Sequence, residues 1–261
     1  MISSTGLIIS LNTQWKYIGI ATLVGILIIT AVFFFIPSAS RENDNELDWV
    51  SYQGPVMKYI GGKYDASLSL LARFGEFESG DILYTRDGVE IKGYFYSGFA
   101  SALDYLKTYS PEDSIIFAWW DYGNMIIGYG EREALATNPS ERLLEGITST
   151  NTTIETDPEE IISDIAKAYT TKDPEETLSI MKKYGSEYIL VPTGPLGDEG
   201  KAKWLFYAAG ISFNDMNNYW INGKLVGQGK DTVIYKMLNE ESVAGFKLIF
   251  SDQNTRIYQI N

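Results

Sequence analysis

Twenty consecutive positions without a charge, from Tyr17 to Ile36, constrain this chain more than any other feature. At 1.5 Å rise per residue, about twenty such residues in a helix cross a hydrocarbon core of roughly 30 Å. A soluble helix of that length would carry a polar stripe, and none is visible. Trp15, Lys16 and Tyr17 supply an interfacial belt at one end. Ser38-Ala39-Ser40 offers small residues for a cleavable signal peptide, but the apolar run exceeds the about 7–15 residues of such a segment. We therefore read 17–36 as a retained transmembrane helix. Lys16 precedes it, while Arg41 follows among Glu42, Asp44, Glu46 and Asp48. That slight bias puts residues 1–16 inside as a cytoplasmic tail and the bulk of the chain outside the cell membrane, as a single-pass protein.

Composition narrows what the outer part can be. With 45% hydrophobic and 14% aromatic residues in 261, it can bury a sizeable core. The net charge of −13, from 34 acidic and 21 basic residues, argues against nucleic acid as a partner. There is no cysteine and no histidine. Disulfides, Cys or His zinc sites, and Ser-His-Asp or Cys-His nucleophiles are therefore excluded. Acid–base or metal chemistry would have to rest on Asp, Glu, Lys or Tyr.

The fold class expected is a mixed α/β (α+β) extracytoplasmic domain behind a single N-terminal transmembrane helix, with a late antiparallel β layer. Residues 37–50 read as an acidic stalk and 51–100 as a Gly/Tyr-rich β-type segment. Within it, Ile82 to Ile91 reads as a hairpin turning at Asp87-Gly88. Residues 101–261 follow as the main domain. Ala100 to Thr108 reads as a short helix, and Ser114 to Ala118 and Tyr188 to Pro192 as buried strands. Asp157-Pro158-Glu159-Glu160 and Asp173-Pro174-Glu175-Glu176 read as two identical helix starts, with Asp as N-cap and Pro at the first helical position. Gly185 ends the second helix. Short β-type runs then follow at 219–221, 232–235, 246–250 and 255–260.

The residues that can carry chemistry are Trp119-Trp120-Asp121-Tyr122-Gly123, directly after the strand at 114–118. Strand ends in α/β domains are where ligands commonly bind. Two indoles bring apolar faces and N–H donors, and the carboxylate is a strong acceptor. Together they suit a small group bearing both a hydroxyl and a methyl. The same residues also fit a packed strand end followed by a turn.

The contiguous run Trp-Trp-Asp-Tyr-Gly resembles the hallmark motif of the oligosaccharyltransferase catalytic subunit, of the archaeal and eukaryotic type. Tyr105 to Ser114, Leu178 to Val191, Ile234 to Leu238 and Arg256 to Tyr258 also look like that family. The resemblance covers roughly 100–261, and points to the family's C-terminal soluble domain. It implies that Trp119, Trp120 and Asp121 form a pocket for the Ser or Thr of the Asn-x-Ser/Thr acceptor sequon. The family's second motif spaces Asp, Lys and Met or Ile on one helix, and Asp198, Lys201 and Leu205 fit that spacing. Leu205 departs from the usual residue, though it could touch a threonine methyl. Lys203 offers another alignment, but it sits on a different helical face from Asp198.

The resemblance also implies partners. In the intact family a many-helix membrane part carries catalysis and holds a divalent cation such as Mg or Mn. No residue of this chain reads as a ligand for that cation, and none reads as catalytic. The expectation is thus an acceptor-recognition domain for protein N-glycosylation, working on acceptor polypeptides beside a polytopic membrane glycosyltransferase. The other reading is a non-catalytic, membrane-anchored surface or complex subunit that keeps the fold. Asn151-Thr152-Thr153 is itself a sequon, making Asn151 a possible glycosylation acceptor.

Overall fold

The computed structural model describes residues 49–149, 155–193 and 197–261, which belong to one compact unit. The transmembrane run 17–36, the tail and nearly all of the acidic stalk lie outside the described residues, as does Asn151. Among the described residues no helix is long and apolar enough to cross a membrane.

The first half of the fold is an antiparallel meander of four strands, β1 (Trp49–Gly61), β2 (Ala66–Phe74), β3 (Phe77–Arg86) and β4 (Val89–Tyr96). Its last turn is the hairpin expected at Asp87-Gly88. Both residues are left-handed (φ 52° and 76°), and Arg86 pairs directly with Val89. That is the turn whose twist suits two antiparallel strands. β1 forms one edge and carries Gly54-Pro55 where its pairing with β2 is irregular. A proline there costs no ladder bond, because an edge strand has unpaired donors anyway.

The second half is a five-stranded mixed sheet in the order β10-β11-β7-β5-β6. β5 (Ile115–Phe117) runs parallel to both β6 (Glu133–Ala134) and β7 (Ser186–Pro192). β10 (Phe246–Ser251) and β11 (Thr255–Ile260) close the other side antiparallel, which is the late β layer expected. Burial of β7 is nearly continuous from Tyr188 to Pro192, as an unbroken apolar run requires. Helices α1 (Ala100–Tyr109), α2 (Gly123–Gly128), α3 (Glu141–Thr148), α4 (Glu159–Thr170), α5 (Pro174–Lys183), α6 (Asp198–Ala208) and α7 (Val233–Leu238) fill the connections. α4 buries Ile162, Ile165 and Tyr169, and it packs on α6.

Two local expectations are corrected. The helix starts at 157 and 173 are not equivalent. Asp173 caps α5 by accepting from the Glu175 amide, with Pro174 first in the helix. At the other start, Pro158 is extended and is itself the cap residue. The Asp157 carboxylate instead accepts from the amides of Thr137 and Asn138, at 2.8 and 3.0 Å, and ties that loop to α4. The β-rich run Thr232 to Tyr235 is the start of α7, where the Thr232 side chain accepts from the Tyr235 amide. Val233, Ile234 and Met237 are then buried on the helix. Tertiary burial overrides the propensity of their β-branched side chains. The run at 219–221 is a two-residue strand, β8 (Trp220–Ile221), paired with β9 (Lys224–Leu225).

The position of the parallel strands matters most. From β5 the chain passes through α2 to β6 on one side. From β7 it passes to α6 and later to β11 on the other. The carboxyl ends of β5 and β7 are therefore neighbours whose connections leave in opposite directions, and such a switch point opens a crevice.

Gly123, which begins α2, packs directly against the backbone that follows β6. A Cβ there would lie 1.9 Å from the Ala136 carbonyl oxygen, a backbone atom that cannot swing aside. Gly123→Ala is expected to destabilise the domain by about 1–3 kcal/mol through overpacking. Chemical denaturation should show a lower midpoint at unchanged slope. Gly200→Ala, in open space on α6, serves as the control and should hold or raise that midpoint.

Candidate functional site

Trp119 leaves β5 in extended conformation (φ −63°, ψ 145°), and Trp120–Tyr122 make a single 3-10 turn before α2. One turn of that pitch returns to the same side after three residues. Trp119 and Tyr122 accordingly point inward, each with 1% of its surface exposed, while Trp120 and Asp121 are only partly buried. The two indoles lie 6.5 Å apart, tilted by 55°. The ring of Phe99 meets that of Tyr122 edge-on at 5.4 Å.

α6 brings the second set of residues. Its cap residue, Gly197, is crowded by the Thr193 carbonyl, which leaves no room for a Cβ. Glu199 anchors the same end. Its carboxylate accepts from Lys224 and the Leu225 amide, and its carbonyl accepts from the Trp220 indole. From this fixed start, Asp198 and Lys201 are three positions apart and face the Trp-Trp-Asp-Tyr turn.

Lys201 donates to Asp121 Oδ2 at 2.6 Å and to the Tyr122 hydroxyl at 3.2 Å. Its Nζ stands 4.5 Å from the centre of the Tyr122 ring. Tyr122 in turn donates to Asp198 Oδ1 at 2.8 Å. Trp120 Nε1, Asp121 Oδ1 and Asp198 Oδ2 are shielded from solvent without a hydrogen-bond partner among the described residues. Unsatisfied buried polar atoms are uncommon and costly, and three of them on two facing segments mark the place.

The structure brings together Trp120, Asp121, Asp198 and Lys201, and puts Trp119 in the core beside them. Lys203 lies elsewhere, over the rings of Trp204 and Phe213. Leu205 has no exposed surface and belongs to the core, so it is not brought to the rim. Two participants carried no individual role in the sequence reading. Tyr122 is the hub of the hydrogen bonds, and only its place inside the Trp-Trp-Asp-Tyr-Gly run pointed to it. Tyr94, on β4, has its phenol pushed up by burial, then by Tyr96 and by the nearby Asp121 carboxylate. No local pattern in residues 51–100 singles it out.

Burial raises the Asp198 carboxyl to about 7; the charge of Lys201 and the Tyr122 hydrogen bond pull it down, and Asp121 pushes it further up. Burial, followed by the two carboxylates, holds the Tyr122 phenol well above its ordinary value. Asp198 is sealed from solvent and is placed to orient neighbours. No group of three or more acidic side chains among the described residues could hold a metal ion.

No family model matches the chain. It is 26% identical over 165 residues, 61% of its length, to dolichyl-phosphooligosaccharide-protein glycotransferase 2 of Archaeoglobus fulgidus. Over 125 residues, 48% of its length, it is 29% identical to dolichyl-diphosphooligosaccharide–protein glycosyltransferase subunit stt3 of Schizosaccharomyces pombe. The chain resembles the oligosaccharyltransferase catalytic subunits. It spans 24% of the archaeal relative and 13% of the yeast one. A crystal structure of the C-terminal globular domain of oligosaccharyltransferase from Archaeoglobus fulgidus aligns with 62% of this chain and 95% of that domain, at 20% identity and a TM-score of 0.44.

The buried acid of this oligosaccharyltransferase-like domain has a consequence for stability. In the folded chain Asp198 keeps its proton at pH values where an unfolded Asp, near 3.8, has lost it. Its favourable contribution is fully present below the unfolded value and is lost as pH rises through about 7. Between pH 5 and 8 the parent chain should lose on the order of 3 kcal/mol relative to Asp198→Asn, at about 1.4 kcal/mol per pH unit. Denaturation midpoints of both proteins at the two pH values check this.

Proposed function

We propose that this chain recognises the hydroxyl of the Asn-x-Ser/Thr sequon in protein N-glycosylation. The observation that carries the reading is the pair of unpartnered atoms on consecutive residues, the Trp120 Nε1 donor and the Asp121 Oδ1 acceptor. A serine or threonine hydroxyl is the smallest side-chain group that both donates and accepts, so it can satisfy both. The second Asp121 oxygen is already held by Lys201. That leaves a single acceptor atom of defined direction. A site built this way rejects residues without a hydroxyl, because its own polar groups would stay unpaired.

The domain works beside a polytopic membrane glycosyltransferase that supplies the sugar transfer and the divalent cation. Its place is outside the cell membrane, tethered by residues 17–36, where the Asn151 sequon is a candidate acceptor for the same chemistry. Supporting this is the sequence likeness to glycosyltransferase subunits.

The purified chain should bind an Asn-x-Thr peptide in preference to the matched Asn-x-Ala peptide. Asp121→Ala should cost that preference about tenfold or more, the worth of a hydrogen bond to a charged group. Fluorescence anisotropy with the two labelled peptides measures it. Equal affinity of the unaltered chain for both would remove the reading and favour a non-catalytic membrane subunit that keeps the fold.

A further inference from the structure

Lysine carries its charge on a flexible four-carbon stem with three rotatable donors, so nothing intrinsic to Lys201 selects one oxygen of Asp121 over the other. The surroundings do select. Tyr122 is locked in the core, with Phe99 edge-on to its ring and its backbone amide bonded to the Trp119 carbonyl. A phenol has a single proton to donate, and Tyr122 gives it to Asp198 at 2.8 Å. Its lone pairs then face Lys201, which donates to the oxygen at 3.2 Å and lies over the ring. This second contact fixes the direction of the ammonium and aims another of its protons at Asp121 Oδ2.

We propose that Tyr122 and Asp198 are positioning residues that steer Lys201 onto one oxygen of Asp121 and so keep the other oxygen for the acceptor hydroxyl; this rests on the hydroxyl-reading function above. Asp198 sets the polarity of the chain of bonds. Without an acceptor at that point, the Tyr122 proton would turn toward Asp121 and compete with both lysine and substrate. The other tyrosine that senses Asp198, Tyr169 on α4, is no competitor, because its hydroxyl donates to the Leu190 carbonyl at 2.7 Å. Burial raises the Asp198 carboxyl, and Lys201, bonded directly to Asp121, pulls it back only in part.

The test uses the full chain and the same labelled Asn-x-Thr and Asn-x-Ala peptides, with the denaturation midpoint recorded for every variant. Tyr122→Phe deletes one oxygen atom and is expected to lower the Thr-over-Ala preference about tenfold, one hydrogen bond's worth, with Asn-x-Ala affinity unchanged. Asp198→Leu should lose the same amount, and the double variant no more than either, because both act through Lys201. Asp198→Asn keeps a carbonyl oxygen for the Tyr122 proton and should restore the preference. If Asp198→Leu does not fold, Tyr122→Phe and Asp198→Asn decide the matter. Parental preference in folded Tyr122→Phe overturns the inference, as do losses that add in the double variant or no recovery in Asp198→Asn. Lack of preference in the unaltered chain is a different failure, which removes hydroxyl reading itself and the inference with it.

Discussion

The hydrogen bond from Tyr122 to Asp198 joins residues 76 positions apart, and the geometry of the site depends on it. A carboxyl group with no exposed surface is expensive to enclose, so its neighbours are tightly constrained. One oxygen must meet a donor, and a cation must stand close by. Tyr122 and Lys201 meet those needs, and in doing so they hold α6 against the turn that follows β5. If the group were exposed, α6 could slide along its apolar side without penalty. Enclosed, it allows one register. The same constraint explains the glycine at 197, whose missing side chain lets the chain fold back on Thr193 before α6 begins.

The meander is coupled to this turn through α2. Tyr84 on β3 donates to the side chain of Asn124, which also donates to the Thr137 carbonyl. Gly93 on β4 lies directly under Asn124, where a Cβ would come within 2.1 Å of it. Gly123 and Gly93 thus allow close approach on two sides of one short helix. Arg132 fastens the far end. Its buried guanidinium bonds to the Lys107 and Ser110 carbonyls at the C-terminus of α1, where a cation is favoured by the helix dipole. The strand end carrying Trp119 to Tyr122 is consequently held from the sheet, from α2 and from α6. Support of that kind keeps the donors and acceptors of the turn in fixed directions.

Much of this was legible where the cause is local. Asp87-Gly88 demands left-handed backbone, the apolar run at 188–192 demands burial, and the spacing of Asp198 and Lys201 puts them on one helical face whatever they pack against. That spacing was enough to separate Lys201 from Lys203. What failed to read out depends on partners distant in sequence. Asp157 looks like a helix cap until the amides of Thr137 and Asn138 arrive to claim its carboxylate. Val233 and Ile234 read as a strand because their β-branched side chains prefer one, and only burial around α7 reverses that. Tyr94 gives no sequence signal, since its relevance comes from where β4 lies relative to Asp121. The enclosure of Asp198 is likewise invisible in a segment flanked by glycine and glutamate.

The identity of residue 201 suits the hydroxyl reading proposed above. An arginine in that place would present a planar fork that matches both oxygens of a carboxylate. It would satisfy Asp121 completely and leave nothing for a ligand to meet. Lysine offers a point charge that covers Oδ2 and leaves Oδ1 unpartnered. The price is freedom of the stem, and Tyr122 removes that freedom by accepting from the same ammonium. A cation that neutralises a carboxylate without saturating it, held by a phenol whose own proton is committed elsewhere, yields one acceptor atom with charge and direction. The side chains that make it come from two segments that the switch point between β5 and β7 brings together.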